Sequence, residues 1–312
     1  MSGSFRHNQH VPEAPTPAPK TTQAWTILEV LRWTVGRFER QGIESARLDA
    51  ELLATRAFAR TRVELYTHYD QPLDEAELAS YRALVQRRLS GEPVAYILGR
   101  KEFWSIDFEV DARVLIPRPD TETLVEQGLE ILVKVGADKQ GRIADIGTGS
   151  GAVAIALKKE RPADEVFAVD ASPDALAVAQ ANATRLKFPV TFLQGDLVTP
   201  LDGRFDLIVS NPPYIPTREI DTLSAEVRSE PRVALDGGAD GLGLVRRLVD
   251  GAVKHLTDDG WLAMEIGAGQ AEAAMNILRN AGYRDVGSRR DLGGIERVVF
   301  GRRGPANERN PT

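Results

Sequence analysis

Asn211-Pro212-Pro213-Tyr214 is the stretch of this chain whose residue types bear most directly on chemistry. It follows the apolar run Phe205-Asp206-Leu207-Ile208-Val209-Ser210, which reads as a strand, so the tetrapeptide sits where a strand ends. Two prolines stiffen it and remove two backbone donors, which leaves carbonyl oxygens free to accept hydrogen bonds. The side-chain carbonyl of Asn211 is a further acceptor, and together they can take both hydrogens of a substrate NH2 group. Tyr214 offers a flat ring on which a planar group can stack. Such a grip suits alkylation of an amide or aromatic amino nitrogen, whose lone pair is delocalised. Holding both hydrogens fixes the nitrogen and favours a pyramidal geometry with its lone pair directed at an incoming methyl group. Electrostatic help comes as positive charge builds on nitrogen. A rigid proline turn that merely closes a strand is the competing reading of the same four residues.

A second constellation lies upstream. Asp145-Ile146-Gly147-Thr148-Gly149-Ser150-Gly151 joins an apolar strand pattern to a helical one. Glycines there let the backbone turn sharply and approach a ligand, with a helix N-terminus beyond. The next strand ends in Asp170, at the spacing from which a carboxylate accepts hydrogen bonds from ribose hydroxyls. Gly147, Gly149 and Ala152 also fit a dinucleotide fingerprint, so this turn alone separates neither a nicotinamide enzyme nor a methyltransferase from a plain tight turn. The tetrapeptide one strand-end away decides for methyl transfer. Asp196, in Gln194-Gly195-Asp196 after the third strand, is placed either to line the adenine side or to be a solvated turn acid.

These loops need a scaffold. After Pro119 the pattern alternates: a helix over Thr121 to Val135, a strand over Arg142 to Ile146, a helix over Ala152 to Lys159 and a strand over Val166 to Val169. Ser172-Pro173-Asp174 then opens a helix with a capping serine and a proline at its first position. Further strands are expected over Val190 to Leu193, Leu207 to Val209, Trp261 to Ile266 and Arg297 to Phe300. Alternation of this kind implies a mostly parallel sheet covered on both faces. Before it, Thr22 to Leu89 reads as helical, with Ile27, Leu28, Leu31, Val35 and Phe38 on one face. Ile106, Phe108 and Val110 alternate with Asp107 and Glu109 as in a strand, and we read a β-hairpin there.

The expected division is therefore a disordered tail at 1–20, a helical domain at 21–95, a hairpin linker at 96–118, an α/β domain at 119–304 and a flexible tail at 305–312. Composition narrows the function further. The 312 residues contain no cysteine, which removes disulfides, thiolate metal sites and cysteine nucleophiles, and the four histidines are scattered, so no metal is expected. The net charge of −6 argues against a body built to hold nucleic acid. No apolar run is long enough to span a bilayer, and a cytoplasmic location is expected.

With these residues in view, the chain resembles the peptide chain release factor N5-glutamine methyltransferases (the HemK/PrmC family). The resemblance runs from about residue 22 to 303. It rests on Glu92-Pro93-Val94-Ala95-Tyr96-Ile97-Leu98-Gly99, on Glu102-Phe103-Trp104, on Leu115-Ile116-Pro117-Arg118-Pro119-Asp120-Thr121-Glu122, and on the two constellations above. It implies a Rossmann-like S-adenosylmethionine-dependent methyltransferase domain preceded by a small helical domain and a β-hairpin linker. It also implies that S-adenosyl-L-methionine is converted to S-adenosyl-L-homocysteine, and that the substrate is the glutamine of the Gly-Gly-Gln loop of class 1 release factors. On this reading Asn211, Pro212 and Tyr214 are catalytic and, with Pro213, hold the glutamine. Gly147, Thr148, Gly149, Ser150, Gly151, Asp170, Asp196, Leu197 and Asn211 bind the cofactor. The family often has tryptophan where this chain has Leu197, so aromatic stacking on adenine is not implied here. The ribosomal protein L3-type glutamine methyltransferases share the tetrapeptide but carry Arg-Ser-Pro in place of Arg118-Pro119-Asp120. A nucleic-acid adenine or guanine methyltransferase would use the tetrapeptide on a flipped base.

Overall fold

A computed structural model describes residues 24–136 and 140–304. The expectations for 1–20 and 305–312 fall outside the described residues. The chain forms two compact units that divide between Arg82 and Ala83.

The first unit is helical. Helix α1 (Ile27–Arg40) starts at a capping box, in which the Thr26 side chain accepts from the Glu29 N–H and the Glu29 carboxylate accepts from the Thr26 N–H at 2.9 Å. Its buried face is Ile27, Val30, Leu31, Thr34 and Phe38, with Leu28 and Val35 at the margin. Helices α2 (Ala46–Phe58), α3 (Arg62–Thr67) and α4 (Glu75–Leu89) follow. The last of these crosses the boundary between the units.

After the end of α4 the second unit continues with α5 (Val94–Leu98), a short helix that overlaps the start of the expected hairpin linker. Gly99 ends it in a left-handed conformation at φ 72. The hairpin itself is β1 (Arg100–Phe103) and β2 (Ile106–Glu109), antiparallel with Phe103 opposite Ile106. Its two-residue turn is Trp104-Ser105, both at positive φ, as the twist of a tight hairpin demands.

The rest is the α/β layer: α6 (Glu122–Gly136), β3 (Arg142–Ile146), α7 (Ala152–Glu160), β4 (Glu165–Asp170), α8 (Pro173–Leu186), β5 (Thr191–Gln194) and β6 (Phe205–Ser210). Then come α9 (Ala225–Arg228), α10 (Gly243–Ala252), β7 (Leu256–Glu265), α11 (Ala271–Asn280), β8 (Arg284–Arg290) and β9 (Glu296–Arg302). The seven-stranded sheet has the order β5-β4-β3-β6-β7-β9-β8. Its first four pairings are parallel and the last two antiparallel. Alternate residues of each strand feed opposite faces: Ile143, Leu207 and Val298 pack with α6, α7 and α8, while Ala144, Ile208 and Val299 pack with α10 and α11. Ser172 caps α8 by accepting from the Ala175 N–H at 3.2 Å, with Pro173 at the first position, as its sequence predicts. No described helix is long and apolar enough to cross a membrane.

Candidate active site

The strand register delivers both constellations to one edge. Ile146, the last residue of β3, is level with Val169 of β4 and with Ser210 of β6, and Asp170 is level with Gln194 of β5. Gly147, Asp170, Gly195 and Asn211 therefore leave the sheet side by side. The strand order reverses direction between β3 and β6, which is where open α/β sheets leave a crevice beyond their carboxyl ends. A cavity of about 330 Å³ lies there, bordered by Gly147, Gly149, Asp170, Asp196, Leu197, Asn211, Pro212 and Pro213. That volume falls within the usual range for small-molecule sites.

Gly147 and Gly149 have φ of 74 and 55, and a Cβ built on either would meet nothing within 4 Å. Their α-carbons thus face open space, and the backbone there can be approached closely by a ligand. Thr148 and Ser150 turn the other way. Thr148 Oγ1 donates to Asp145 Oδ2 at 2.7 Å, and the buried Ser150 offers its carbonyl to Asn182 Nδ2 at 3.0 Å. They border a smaller cavity of about 50 Å³, which they share with Arg118, Thr121 and Asn211. Gly151 borders none of these cavities: its Cβ would press on Ala179 Cβ and Ile155 Cδ1, both at 3.2 Å, at φ +82. Its task is to let α7 pack closely on α8. Gly151→Val should lower unfolding free energy by about 1–3 kcal/mol or more from backbone strain and overpacking, measured by urea unfolding. Asp145, buried beneath the turn, has its carboxyl pushed up to about 7 by burial, against the hydrogen bonds from Thr148 and the Ala154 N–H.

Asp170 serves the turn as well as the cavity. Its Oδ2 accepts from the Gly149 N–H and its Oδ1 from the Ser172 N–H, both at 2.9 Å. Each oxygen keeps capacity to accept from a hydroxyl. Asp196 is exposed at the rim and ion-paired with Arg247. Leu197 stands at φ 51, a left-handed conformation unusual for leucine, and contributes an apolar, half-buried wall. An acceptor for hydroxyls, a close-approach glycine turn and an apolar wall are what a nucleoside with a charged tail requires, so the residues present fit S-adenosyl-L-methionine.

A second cavity, about 240 Å³, adjoins the first. Leu115, Asn211, Pro212 and Ala234 border both, and Tyr214, Ile215, Leu223, Val227 and Leu235 line only the second. Asn211 Nδ2 donates to Thr121 Oγ1 at 3.1 Å, which leaves Oδ1 as the end available for a substrate. Among the described residues no N–H donates to the Pro212 carbonyl, another acceptor. Tyr214 is tied at both ends: its hydroxyl lies 3.4 Å from Glu265 Oε1, and its carbonyl accepts from Gln270 Nε2 at 2.9 Å. Arg118 ion-pairs with the buried Glu230, which also accepts from the Ile116 N–H at 3.0 Å. Burial pushes the Glu230 carboxyl up and the Arg118 charge pulls it back.

Sequence reasoning passed over Thr121, Glu230, Glu265 and Gln270. Glu265 carried a readable signal, an acid at the end of the apolar run Trp261 to Met264, in the position Asp170 holds on β4. Glu230 carried none, because its partner Arg118 is remote in sequence. Among the described residues, no group of three or more His, Cys, Asp or Glu side chains is arranged to hold a metal ion.

Comparison with known proteins identifies the family. Residues 29–99 match the family described as PrmC N-terminal domain, and residues 121–230 match the methyltransferase small domain. The chain is 48% identical over 284 residues to the release factor glutamine methyltransferase of Geobacter sulfurreducens, covering 90% of this chain and 98% of that protein. It is 42% identical to that of Rhodopirellula baltica, over 88% of this chain and 95% of that protein. For that of Coxiella burnetii the identity is 43%, over 84% of this chain and 93% of that protein. Among solved structures, the hMettl16 catalytic domain in complex with MAT2A 3′UTR hairpin 6 superposes with a TM-score of 0.54 at 16% identity, over 74% of this chain and 93% of that chain. That likeness shows the methyltransferase fold alone.

Proposed function

This chain belongs to the release factor glutamine methyltransferase family, and from that premise we infer that it methylates the side-chain amide nitrogen, N5, of the Gly-Gly-Gln glutamine in class 1 peptide chain release factors. The observation that carries the chemical reading is the sharing of Asn211 and Pro212 by two adjoining cavities, one suited to the methyl donor and one to the acceptor side chain. When bound, S-adenosyl-L-methionine supplies an electrophilic methyl group and leaves as S-adenosyl-L-homocysteine.

The chain's own residues do the rest by placement. Asn211 Oδ1 and the Pro212 carbonyl each accept one hydrogen of the glutamine NH2, which fixes the nitrogen and turns its lone pair to the donor cavity. Both acceptors carry partial negative charge, so their grip strengthens as positive charge develops on nitrogen. Once the N–C bond has formed, the nitrogen gives up one proton to solvent water. Tyr214 stacks on the amide plane, and Pro213 stiffens the turn. Gly147, Gly149, Asp170, Asp196 and Leu197 contact the methyl donor, while Thr148, Ser150 and Gly151 hold the turn's shape.

A glutamine side chain is too small to mark one protein among many, so recognition draws on more surface than the second cavity. We assign that reading to the helical segment, 21–95, and the cytoplasm, where release factors act, as the place of work. A short Gly-Gly-Gln peptide should accordingly show kcat/KM at least about 100-fold below that of an intact release factor, mostly through KM. Equal values would remove the need for a reading surface. The class of substrate is tested by adding the protein and labelled S-adenosyl-L-methionine to a cell extract. Label that survives nuclease and is destroyed by protease supports the reading, and label destroyed by nuclease overturns it.

A further inference from the structure

We propose that Thr121 is a positioning residue for methyl transfer, its hydroxyl holding the Asn211 amide with the carbonyl oxygen turned to the substrate. This rests on the reading of Asn211 as the acceptor for a substrate N–H. The two ends of an asparagine amide have nearly the same shape and opposite polarity. A half-turn about the last side-chain bond would replace the Oδ1 acceptor with an NH2 donor. A donor facing the substrate NH2 repels it and abolishes the grip. Something must therefore choose the end.

Thr121 makes the choice. It is buried, at 5% exposure, in the 3-10 turn Pro119–Thr121 that leads into α6, and it borders the small cavity beside Asn211. Its Oγ1 receives the Asn211 Nδ2 hydrogen at 3.1 Å. A hydroxyl by itself could equally donate to Oδ1 and hold the amide the other way. Glu265 bears on that choice. This carboxyl ends β7 at 1% exposure. Its Oε1 has only the long contact from Tyr214, and its Oε2 lacks any hydrogen-bond partner among the described residues. A buried carboxyl oxygen without a donor is costly, which favours a neighbouring hydroxyl turning its hydrogen that way. The Thr121 hydroxyl already acts on this carboxyl, opposing the burial that pushes it up to about 7. Thr121 offers a lone pair to the Asn211 Nδ2, and Oδ1 is the end left for the cavity. The same carboxyl steadies the Tyr214 hydroxyl, so Glu265 stands behind both substrate-gripping side chains.

The test uses the full chain with S-adenosyl-L-methionine and an intact release factor. Thr121→Val exchanges the hydroxyl for a methyl of similar size. It should lower kcat about 10- to 100-fold, change KM much less, and leave the dissociation constant for S-adenosyl-L-methionine within about twofold. Thr121→Ser restores the hydroxyl and should recover most of the rate. In an Asn211→Ala background, Thr121→Val should cost nothing further, because the group it orients is gone. A purely structural role predicts additive losses and no such silence. A folded Thr121→Val enzyme with kcat within about twofold of the parent, or a serine variant as slow as the valine one, overturns the proposal. Should valine unfold the protein in a thermal melt, Thr121→Ala carries the same expectation and the same refutation. If Asn211→Ala itself keeps the parent rate, the acceptor reading falls. If Asn211→Ala is inactive and Thr121→Val is not, only this inference falls.

Discussion

Asn211→Ala is expected to lower kcat by about 10²- to 10³-fold, the loss typical of removing one preorganised hydrogen-bonding group from a site of charge development. The geometry makes the loss selective. Asn211 borders both larger cavities and the small one, which on the proposed reading sets it against the acceptor nitrogen as well as the donor's edge. Most of the proposed donor cavity, however, is formed by other residues, among them the glycine turn, Asp170 and the Leu197 wall. The dissociation constant for S-adenosyl-L-methionine should therefore stay within a few-fold of the parent. Alanine also frees the Thr121 hydroxyl, but that is one hydrogen bond at a cavity margin and costs about 1 kcal/mol of stability. Single-turnover kinetics with a saturating release factor would measure the effect, and a near-parental rate constant would refute the role of Asn211.

Asp170→Ala should weaken S-adenosyl-L-methionine binding by about 1–3 kcal/mol, or about 5- to 150-fold in dissociation constant. Two losses combine. The carboxylate's charge-assisted acceptance of hydroxyl hydrogens disappears. So do its bonds to the Gly149 and Ser172 N–H groups, which hold the glycine turn and the start of α8 in place. Asp170→Asn separates them, since its one carbonyl oxygen can retain one of these bonds while losing the charge. Its loss should be intermediate. Calorimetric titration with S-adenosyl-L-methionine and S-adenosyl-L-homocysteine reads both variants. Undiminished affinity in the alanine variant would place the nucleoside elsewhere.

How much of this was legible beforehand depended on whether the signal was local. The strand over Arg142 to Ile146 begins and ends where the sequence predicts, and the capped helix starts at Pro173 as expected, because an apolar run, glycines and a serine cap mark them. The tight turn at Trp104-Ser105 was invisible. Both residues take positive φ without glycine or asparagine, so tertiary packing overrides local preference. Strand β8, Arg284 to Arg290, was missed because it is an edge strand whose polar residues carry no period. In the site, Asn211, Asp170 and the two cavity-facing glycines could be found because each lies at a strand end. The short-range pattern did not separate Gly151, which packs helices, from Gly147 and Gly149, which face the cavity. Glu265 ends a strand as Asp170 does and was legible in the same way, whereas Thr121 acts through a contact with Asn211 across 90 residues of sequence, and no spacing rule reaches that far.

The central claim is a methyl group on one particular nitrogen. The most direct measurement incubates the protein with S-adenosyl-L-methionine and a purified, unmodified class 1 release factor, then maps the modification by tandem mass spectrometry. The account predicts one added methyl, on the side-chain amide of the Gly-Gly-Gln glutamine, and none in a factor whose glutamine is replaced by glutamate. A methyl group on any other residue, or transfer undiminished in the glutamate variant, would contradict it.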